Sequence, residues 1–427
     1  MNDVPGGRSW TQTHWYKWAL VGLLWFCGFF NYADRQAVFS VTRSLQSEFE
    51  LSKAQLGMIG SSFMFVYALA APFAGALVDR GSRRAWIIGG LAFWSLICAL
   101  TATSQVYWHL LLFRALEGLG ETFYFPASMS LIAAFHAPNT RSKAMGMHQT
   151  SVYLGSALGG SIAGVLGDWL GWRSPFWLFG GVGCLLVPML WFGLRDPEEA
   201  KKGVVEADDA IGPGPERIGL VGAVLEIVSR PAALGVLGMF AGANFVAMVL
   251  LSWLPYFVSE RFGVGQARAA FVATLFLQIT SLFGAIMGGF LGDWAAGKPG
   301  GRMRVQGAAL LLGAPCVFLA ARAGSEASFA VALIGIGLCK GVYDASIFAS
   351  MYDLVRPEVR GKAAGMMNTI GWGAGSTAPL LIGVLGDAQG LSPTIAATAF
   401  VYVLAGSIGL VASVLGRAAK PIGTGPG

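Results

Sequence analysis

The sequence Gly164-Val165-Leu166-Gly167-Asp168 occurs a second time as Gly383-Val384-Leu385-Gly386-Asp387, 219 positions further along the chain. The same ungapped offset places Arg141, Lys143, Ala144, Gly146, Met147 and Thr150 on Arg360, Lys362, Ala363, Gly365, Met366 and Thr369. Further back it places Pro138, Tyr124 and Gly118-Leu119 on Pro357, Tyr343 and Gly337-Leu338. A repeat of this extent predicts two halves that are built alike, with a site at their interface.

The composition indicates the environment in which both halves fold. The 427 residues are 55% hydrophobic and only 12% charged, with a mean hydropathy of +0.61, whereas a soluble domain carries about 25% charged residues. The chain also contains 60 glycines, and small residues let membrane helices approach one another closely. We therefore expect an all-α, polytopic membrane protein.

A membrane-spanning helix needs about 20 predominantly apolar residues, and this rule predicts twelve helices. They cover 15–42, 55–79, 84–103, 106–135, 143–168, 173–194, 231–259, 267–293, 303–322, 328–354, 361–387 and 392–416. Residues 1–194 would form one six-helix bundle and residues 231–427 a second, pseudo-symmetric one. The polar stretch 195–230 between them predicts a flexible central loop, with room for one short surface helix.

Lysine and arginine are distributed unevenly between the two sides of this topology. Of the 29 such residues, 20 fall on the side of the termini and the even-to-odd loops, 6 on the opposite side and 3 within helices. The positive-inside rule then places both termini in the cytoplasm, and it accounts for the net charge of +6 without nucleic-acid binding. The chain lacks an Asn-x-Ser/Thr sequon, which favours a bacterial source, and we expect an inner-membrane protein.

Several kinds of chemistry find no support in the sequence. There is no Gly-x-x-x-x-Gly-Lys-Ser/Thr phosphate loop and no recognisable nucleophile or metal motif, so we expect neither an ATP-driven pump nor an enzyme. The five cysteines lie in apolar segments without metal-ligand spacing, which favours reduced, space-filling thiols; they are Cys27, Cys98, Cys184, Cys316 and Cys339. We expect no cofactor and no metal.

Two of the predicted helices carry charged residues at bilayer depth. Asp34 and Arg35 lie in the first helix, and Arg114, Glu117 and Glu121 lie in the fourth, where their i, i+3, i+7 spacing puts them on one helix face. A charge at this depth costs roughly 2.5–3.5 kcal/mol even on lenient scales, so such residues normally face a polar interior. The pattern predicts a cavity that handles an ion, a proton or both. The alternative is that Asp34–Arg35 and Arg114–Glu117 are structural ion pairs.

The loop after the second helix carries a longer motif, Gly75-Ala76-Leu77-Val78-Asp79-Arg80-Gly81-Ser82-Arg83-Arg84, which is echoed by Gly289-Phe290-Leu291-Gly292-Asp293 after the eighth. With twelve helices in two halves, this sequence resembles the major facilitator superfamily over essentially its whole length. The resemblance implies alternating access, with Asp79, Arg83 and their counterpart Asp293 gating the cytoplasmic side. Positive-inside arginines alone would explain the basic residues but not the repeated Gly…Asp.

A closer resemblance involves the charged residues of the first and fourth helices. Asn31-Tyr32-Ala33-Asp34-Arg35 and the Arg-x-x-x-Gly-x-Gly-Glu that ends at Glu121 resemble motifs of the anion:cation symporter family, which includes hexonate, hexuronate and sialin-type carriers. This resemblance implies that Arg35 and Arg114 bind a carboxylate, which suits the planar guanidinium fork, and that Asp34 and Glu121 carry protons. Spinster-type lysolipid transporters share both motifs. Glu117 lies outside the matched positions.

The second half departs from this pattern at one position. The offset of 219 places Glu121 on Lys340, one helical turn before Asp344. As an (i, i+4) pair the two would neutralise each other. Alternatively, Lys340 is a cavity-facing cation that contacts substrate or exchanges its carboxylate partner.

Other polar residues are candidates for the wall of the same cavity. Gln149 falls on Asn368 under the repeat, and two amides at equivalent depth suit sugar hydroxyls. His148 is either a proton relay or a packing residue. Aromatic walls with hydroxyl donors would come from three tyrosines, for each of which ordinary helix packing is the alternative: Tyr32, Tyr124 and Tyr343.

Together these observations predict a monomeric, proton-coupled symporter of a small organic anion, a sugar acid or related carboxylate, with protons as the coupling ion and the lipid bilayer as its surroundings. The alternative is a Spinster-type, proton-driven transporter of lysophospholipid-like amphiphiles. A transporter-like sensor or a membrane enzyme is a third, more distant class.

Overall fold

The computed structural model describes residues 15–196, 219–356 and 359–418, and within these ranges all regular secondary structure is helical. The predicted all-α fold with twelve spanning segments is confirmed. Helices 1 to 6 are Tyr16–Ser40, Lys53–Arg80, Arg83–Thr101, Tyr107–Glu121 continued by Tyr124–Phe135, Pro138–Leu170 and Ser174–Gly193. Helices 7 to 12 are Pro231–Phe262, Gln266–Ala296, Gly301–Arg322, Glu326–Asp344 continued by Ile347–Tyr352, Arg360–Gln389 and Leu391–Ala418. Two short helices, Thr42–Phe49 and Leu220–Val228, lie outside this set.

Eight of the described helices are long and apolar enough to cross a membrane by length and composition alone. The four segments outside this group are helices 1, 4, 5 and 11. Helices 1 and 4 hold the five charged residues of the first half, while helices 5 and 11 hold Gln149 and Asn368. All four segments contain polar or charged residues and glycines, which lower their mean hydropathy.

Helix 4 is interrupted between Glu121 and Tyr124, where the sequence predicts one continuous helix. Pro126 lies in the first turn after the break. Its ring has no N–H to donate and clashes with the carbonyl four residues earlier, so a continuous helix is disfavoured there. The break leaves Glu121 at the end of the first piece.

The two halves meet at one end of the molecule through the repeated Gly-Val-Leu-Gly-Asp sequences. At the end of helix 11, Asp387 accepts hydrogen bonds from the backbone N–H groups of Lys53 and Ala54, both at 2.9 Å. At the end of helix 5, Asp168 accepts the equivalent bonds from Gln266 and Ala267, at 3.1 and 2.8 Å. Each aspartate thus caps the N terminus of a helix in the opposite half, where free N–H groups and the helix dipole favour an anion.

The first glycine of each repeated sequence allows this close approach. A Cβ atom on Gly383 would lie 2.3 Å from the carbonyl oxygen of Lys53, and one on Gly164 would lie 2.8 Å from that of Gln266. Only a residue without a side chain fits at these crossings of helix 11 with helix 2 and helix 5 with helix 8. We call this end of the molecule, formed by the starts of helices 2 and 8 and the ends of helices 5 and 11, the closed end.

The short helix Leu220–Val228 lies at the opposite, open end, within the stretch where the sequence allows one surface helix. Ala223 and Ile227 are buried, and Glu226 accepts a hydrogen bond from Nε of Arg356 at 2.9 Å. Burial acts against ionisation of Glu226, but the bonds from Arg356 hold its pKa below the ordinary value. The rest of the expected central loop, 197–218, lies outside the described residues.

Candidate functional site

A cavity of about 1210 Å³ lies between the two halves and extends from mid-helix depth to the open end. It is lined from both halves, by helices 1, 2, 4 and 5 and by helices 7, 8, 10, 11 and 12. The walls carry many apolar and aromatic residues, with a few polar groups between them. Seven of the candidate residues from the sequence line it: Tyr32, Arg35, Gln149, Lys340, Tyr343, Asp344 and Asn368.

Arg35 is the charged group that helix 1 presents to this cavity. Its Nε and Nη2 atoms donate to the same oxygen of Glu121, at 3.1 and 2.5 Å, so helices 1 and 4 are joined by this ion pair. The guanidinium carbon lies 4.6 Å from the ring centre of Tyr32 and 5.8 Å from that of Trp372 in the other half. Its Nη1 atom is buried without a hydrogen-bond partner among the described residues. Arg35 therefore retains donor capacity for a further acceptor.

A second layer of charge lies behind Arg35. The ring of Phe63 has the Arg35 guanidinium carbon 4.9 Å from its centre and that of Arg114 at 4.5 Å. Arg114 donates to Glu117 at 2.5 Å, and Asp34 is buried nearby with its Oδ1 atom unpaired among the described residues. None of Arg114, Glu117 and Asp34 lines the cavity. The predicted carboxylate-binding pair is thus split, with Arg35 at the cavity and Arg114 sealed behind an aromatic ring.

Of the two structural ion pairs that the sequence allows as an alternative, one forms and the other does not. Arg114 and Glu117 do form a buried pair on helix 4. Asp34 and Arg35 do not pair, because adjacent residues project from different sides of a helix and Arg35 reaches Glu121 instead. Glu121 itself is 1% exposed and pairs with Arg35, which lines the cavity.

The spacing of the helix 4 motif has a packing explanation as well as a chemical one. A Cβ atom on Gly118 would lie 2.4 Å from the backbone oxygen of Phe63. A glycine between Arg114 and Glu121 therefore lets helix 4 lie directly against helix 2. This contact brings the Phe63 ring between the two arginines.

The second half contributes Lys340 and Asp344 to the cavity wall. They form an ion pair on helix 10, as the (i, i+4) spacing allows, and both line the cavity. Between them in sequence, Tyr343 also lines the cavity, and its buried hydroxyl has no partner among the described residues. The wall therefore carries a charged pair and an unused hydroxyl group.

The two amide side chains and the remaining candidates, His148 and Tyr124, differ in whether they reach the cavity. Gln149 and Asn368 both line the cavity, from helices 5 and 11. His148 is fully buried and shares a hydrogen bond of 2.8 Å with the Tyr124 hydroxyl, which donates to the Leu24 carbonyl at 2.5 Å. Neither His148 nor Tyr124 lines the cavity, and their contacts fit the packing interpretation.

The predicted gating residues lie towards the open end. The side chain of Asp79 is outside the described part of the structure, and Arg83 begins helix 3. Asp293 is 87% exposed at its side chain and lies 3.8 Å from Arg302 of its own half. In this conformation Asp293 holds no contact across the two halves that the structure describes.

Two aromatic residues at the site carry no signal in the sequence. Tyr67 and Trp372 come from helices 2 and 11, their ring centres are 5.2 Å apart, and both lie within 6 Å of the Arg35 guanidinium carbon. Neither belongs to a motif, and hydrophobic periodicity does not separate cavity-facing from lipid-facing aromatic residues. They enclose Arg35 from both halves.

A cavity between two repeated helical halves, with buried charges behind its wall, is typical of membrane transporters. Residues 24–379 match the model of the Major Facilitator Superfamily, and the chain belongs to this family. It is 25% identical over 411 residues to a hexuronate transporter of Bacillus subtilis (strain 168), covering 93% of each chain. It is 24% identical over 392 residues to a D-galactonate transporter of Escherichia coli O6:H1, covering 88% of this chain and 89% of that one.

The fold is also that of a solved structure. A bacterial homologue of the human lysosomal transporter Spinster, in an inward-facing and unoccupied conformation, superposes with a TM-score of 0.84 and 21% sequence identity, covering 97% of this chain and 100% of that one. The resemblance to sugar-acid and Spinster-type carriers is therefore confirmed.

Proposed function

We propose that the protein is a proton-coupled symporter of a small organic anion, a sugar acid or related carboxylate, which works by alternating access. The observation that carries the proposal is the single carboxylate partner of a cavity-lining arginine, Glu121 on Arg35. Sugar-acid transporters among the relatives support the substrate class. With both termini in the cytoplasm, the cavity described above would face inward.

The geometry suggests how proton and anion are coupled. An ionised Glu121 occupies two donor atoms of Arg35, and a protonated one would release them. A substrate carboxylate could then take the place of Glu121 on the guanidinium fork, which binds carboxylates in a bidentate manner. Anion and proton would thus bind together, while the amides of Gln149 and Asn368 would meet the hydroxyl groups of a sugar acid.

The test uses purified protein in proteoliposomes with an imposed pH gradient and labelled D-galactonate or D-glucuronate. We expect uphill uptake that a protonophore abolishes. Glu121→Gln should lose about tenfold of the gradient-driven accumulation for each unit of pH gradient, the factor that one coupled proton supplies, because an amide can neither gain nor lose a proton. It should still exchange labelled for unlabelled acid. Lys362→Gln removes another cavity-lining charge and serves as the control.

Two results would count against this function. Uptake that persists unchanged with the protonophore would exclude proton coupling. If neither acid is bound or transported, the substrate class is wrong.

A second candidate, proton-driven transport of a lysophospholipid-like amphiphile, is favoured by the size of the cavity and by its apolar mouth. Val224 and Ile227 of the short helix line that mouth. A lysophospholipid that competes with neither acid, but is itself moved between liposome leaflets in response to the pH gradient, would favour this alternative.

A further inference from the structure

Five charged side chains lie together and buried on helices 1 and 4, and their formal charges do not cancel. They are Asp34, Arg35, Arg114, Glu117 and Glu121, each no more than 7% exposed. Three carboxylates and two guanidinium groups leave one uncompensated negative charge when all are ionised. An unpaired charge at bilayer depth is strongly disfavoured, so one further positive charge belongs to this cluster.

The hydrogen bonds indicate which carboxylates are least compensated. Glu121 accepts two bonds from Arg35, both on one oxygen, whereas Glu117 accepts one from Arg114. Each of these two acids leaves its Oε1 atom unpaired. Asp34 has its Oδ1 atom unpaired. All five residues of the cluster lie within the part of the chain that the structure describes. Of the three acids, Asp34 and Glu117 therefore have the weakest support for a negative charge.

Asp34 and Glu117 are also close to each other. One carboxylate oxygen of each, together with the thiol of Cys98 on helix 3, lies within 4.8 Å of the others. Two carboxylates at this separation in a dry site do not both remain ionised, because each disfavours the charge of the other. The missing positive charge is therefore needed where these two acids meet.

We propose that Glu117 and Asp34 together hold one proton, and that Glu117, which no family motif covers, is half of a proton site behind Arg35. The inference rests on the proposed proton coupling and adds a residue and a stoichiometry to it. A single proton balances the charge of the cluster and requires no ligands beyond the two acids. A divalent metal would have only three donors from these residues and would lie beside the guanidinium that Glu117 already binds.

Asp34 and Glu117 lie outside the cavity in which the substrate would bind. Phe63 stands between Arg114 and Arg35, and neither Asp34 nor Glu117 lines the cavity. Titratable groups on the surrounding helices include Cys27, Cys98 and His148, whose Nε2 atom is engaged by Tyr124. The tyrosines Tyr32, Tyr67 and Tyr124 also lie on these helices. The proton is thus stored out of contact with the transported anion, beside Arg114 and one aromatic ring away from Arg35, the arginine that lines the cavity.

Glu117→Gln tests this assignment, because an amide keeps the shape and leaves the remaining four charges balanced without a proton. In proteoliposomes at zero membrane potential, we expect accumulation of D-galactonate at equilibrium to fall about tenfold for each unit of pH gradient, the factor that one coupled proton supplies. Exchange of labelled for unlabelled galactonate should stay within about twofold of wild type. Glu326→Gln, a carboxylate paired with Arg268 outside the cluster, should change neither.

A second measurement needs no substrate. Infrared spectra of the purified protein at neutral pH should contain a carboxylic-acid C=O band that is absent from both Glu117→Gln and Asp34→Asn. A band that survives in both variants, wild-type accumulation by Glu117→Gln, or a stoichiometric bound metal would overturn the proposal. If wild-type protein accumulates neither acid, the symport function fails, while the infrared band still decides whether the pair holds a proton.

Discussion

At the closed end the two halves of the molecule use the same residue for the same contact, whereas beside the cavity one pair of equivalent positions carries opposite charges. Asp168 and Asp387 each cap a helix of the other half with two backbone hydrogen bonds of 2.8–3.1 Å. Under the same offset, Glu121 joins helices 1 and 4, but Lys340 pairs within helix 10.

The closed end and the cavity meet different structural requirements. Closing one end requires that both pairs of helices, 2 with 11 and 5 with 8, meet in the same way, and an unchanged sequence repeat satisfies that requirement. Binding a solute with distinct ends requires the opposite, since identical walls cannot distinguish one end from the other. The predictions below test each side of this comparison, beginning with the cavity.

The largest effect is expected from Lys340→Ala. It leaves Asp344 on the cavity wall without its partner, and we expect uptake of a sugar acid to fall roughly tenfold to hundredfold, as hydrogen bonds to charged groups are worth about 1.5–3 kcal/mol. Expression, measured by fluorescence-detected size exclusion, should stay normal. Transport near the wild-type rate would dismiss a functional role for Lys340.

The double variant Lys340→Ala, Asp344→Asn separates the two interpretations of this pair. If the two residues only neutralise each other, removing both charges restores transport. If Lys340 acts on the substrate, the loss persists in the double variant.

Which parts of this arrangement the sequence can predict depends on the scale. Hydrophobic length predicts the helices to within a few residues, for example 231–259 against the observed Pro231–Phe262. It missed the interruptions of helix 4 and of helix 10, which was predicted as one helix over 328–354 but breaks between Asp344 and Ile347. Pro126 is a visible signal for the first of these.

The sequence predicts which residues belong to the site, but not how far each one lies from the cavity. The i, i+3, i+7 spacing places Arg114, Glu117 and Glu121 on one face of helix 4. It does not say which of these side chains reaches the cavity and which is covered by a neighbouring helix. Only packing reveals that Phe63 separates Arg114 from the cavity. The adjacency of Asp34 and Arg35 in sequence likewise suggests a pair that helix geometry forbids.

An intermediate effect is expected from Gly383→Ala at the closed end. The added methyl group would lie 2.3 Å from the Lys53 carbonyl oxygen, and overpacking of this kind costs about 1–3 kcal/mol. The closed end should therefore open more often, which distances between spin labels on helices 2 and 11 would report.

Two glycines provide the comparison for this experiment. Gly164→Ala, at 2.8 Å from its nearest backbone atom, should have a smaller effect, and Gly365→Ala, with nothing within 4 Å, should have none on the closed end. Equal effects of Gly383→Ala and Gly365→Ala would show that helix propensity, not close approach, is responsible.

The smallest effects are expected from the two aspartate caps taken singly. Loss of a helix cap costs about 1 kcal/mol, so Asp168→Ala and Asp387→Ala should each shift the balance away from the closed conformation by roughly fivefold, and the double variant by about 30-fold if the caps act independently. The same spin-label distances, measured between helices 5 and 8 as well as 2 and 11, would report both. Glu326→Ala removes an ion pair with Arg268 that lies within one half and should leave the distances unchanged. If only one of the two aspartate substitutions changes the distances, the closed end is as asymmetric as the cavity. The proposed contrast between a symmetric closed end and an asymmetric cavity is then wrong.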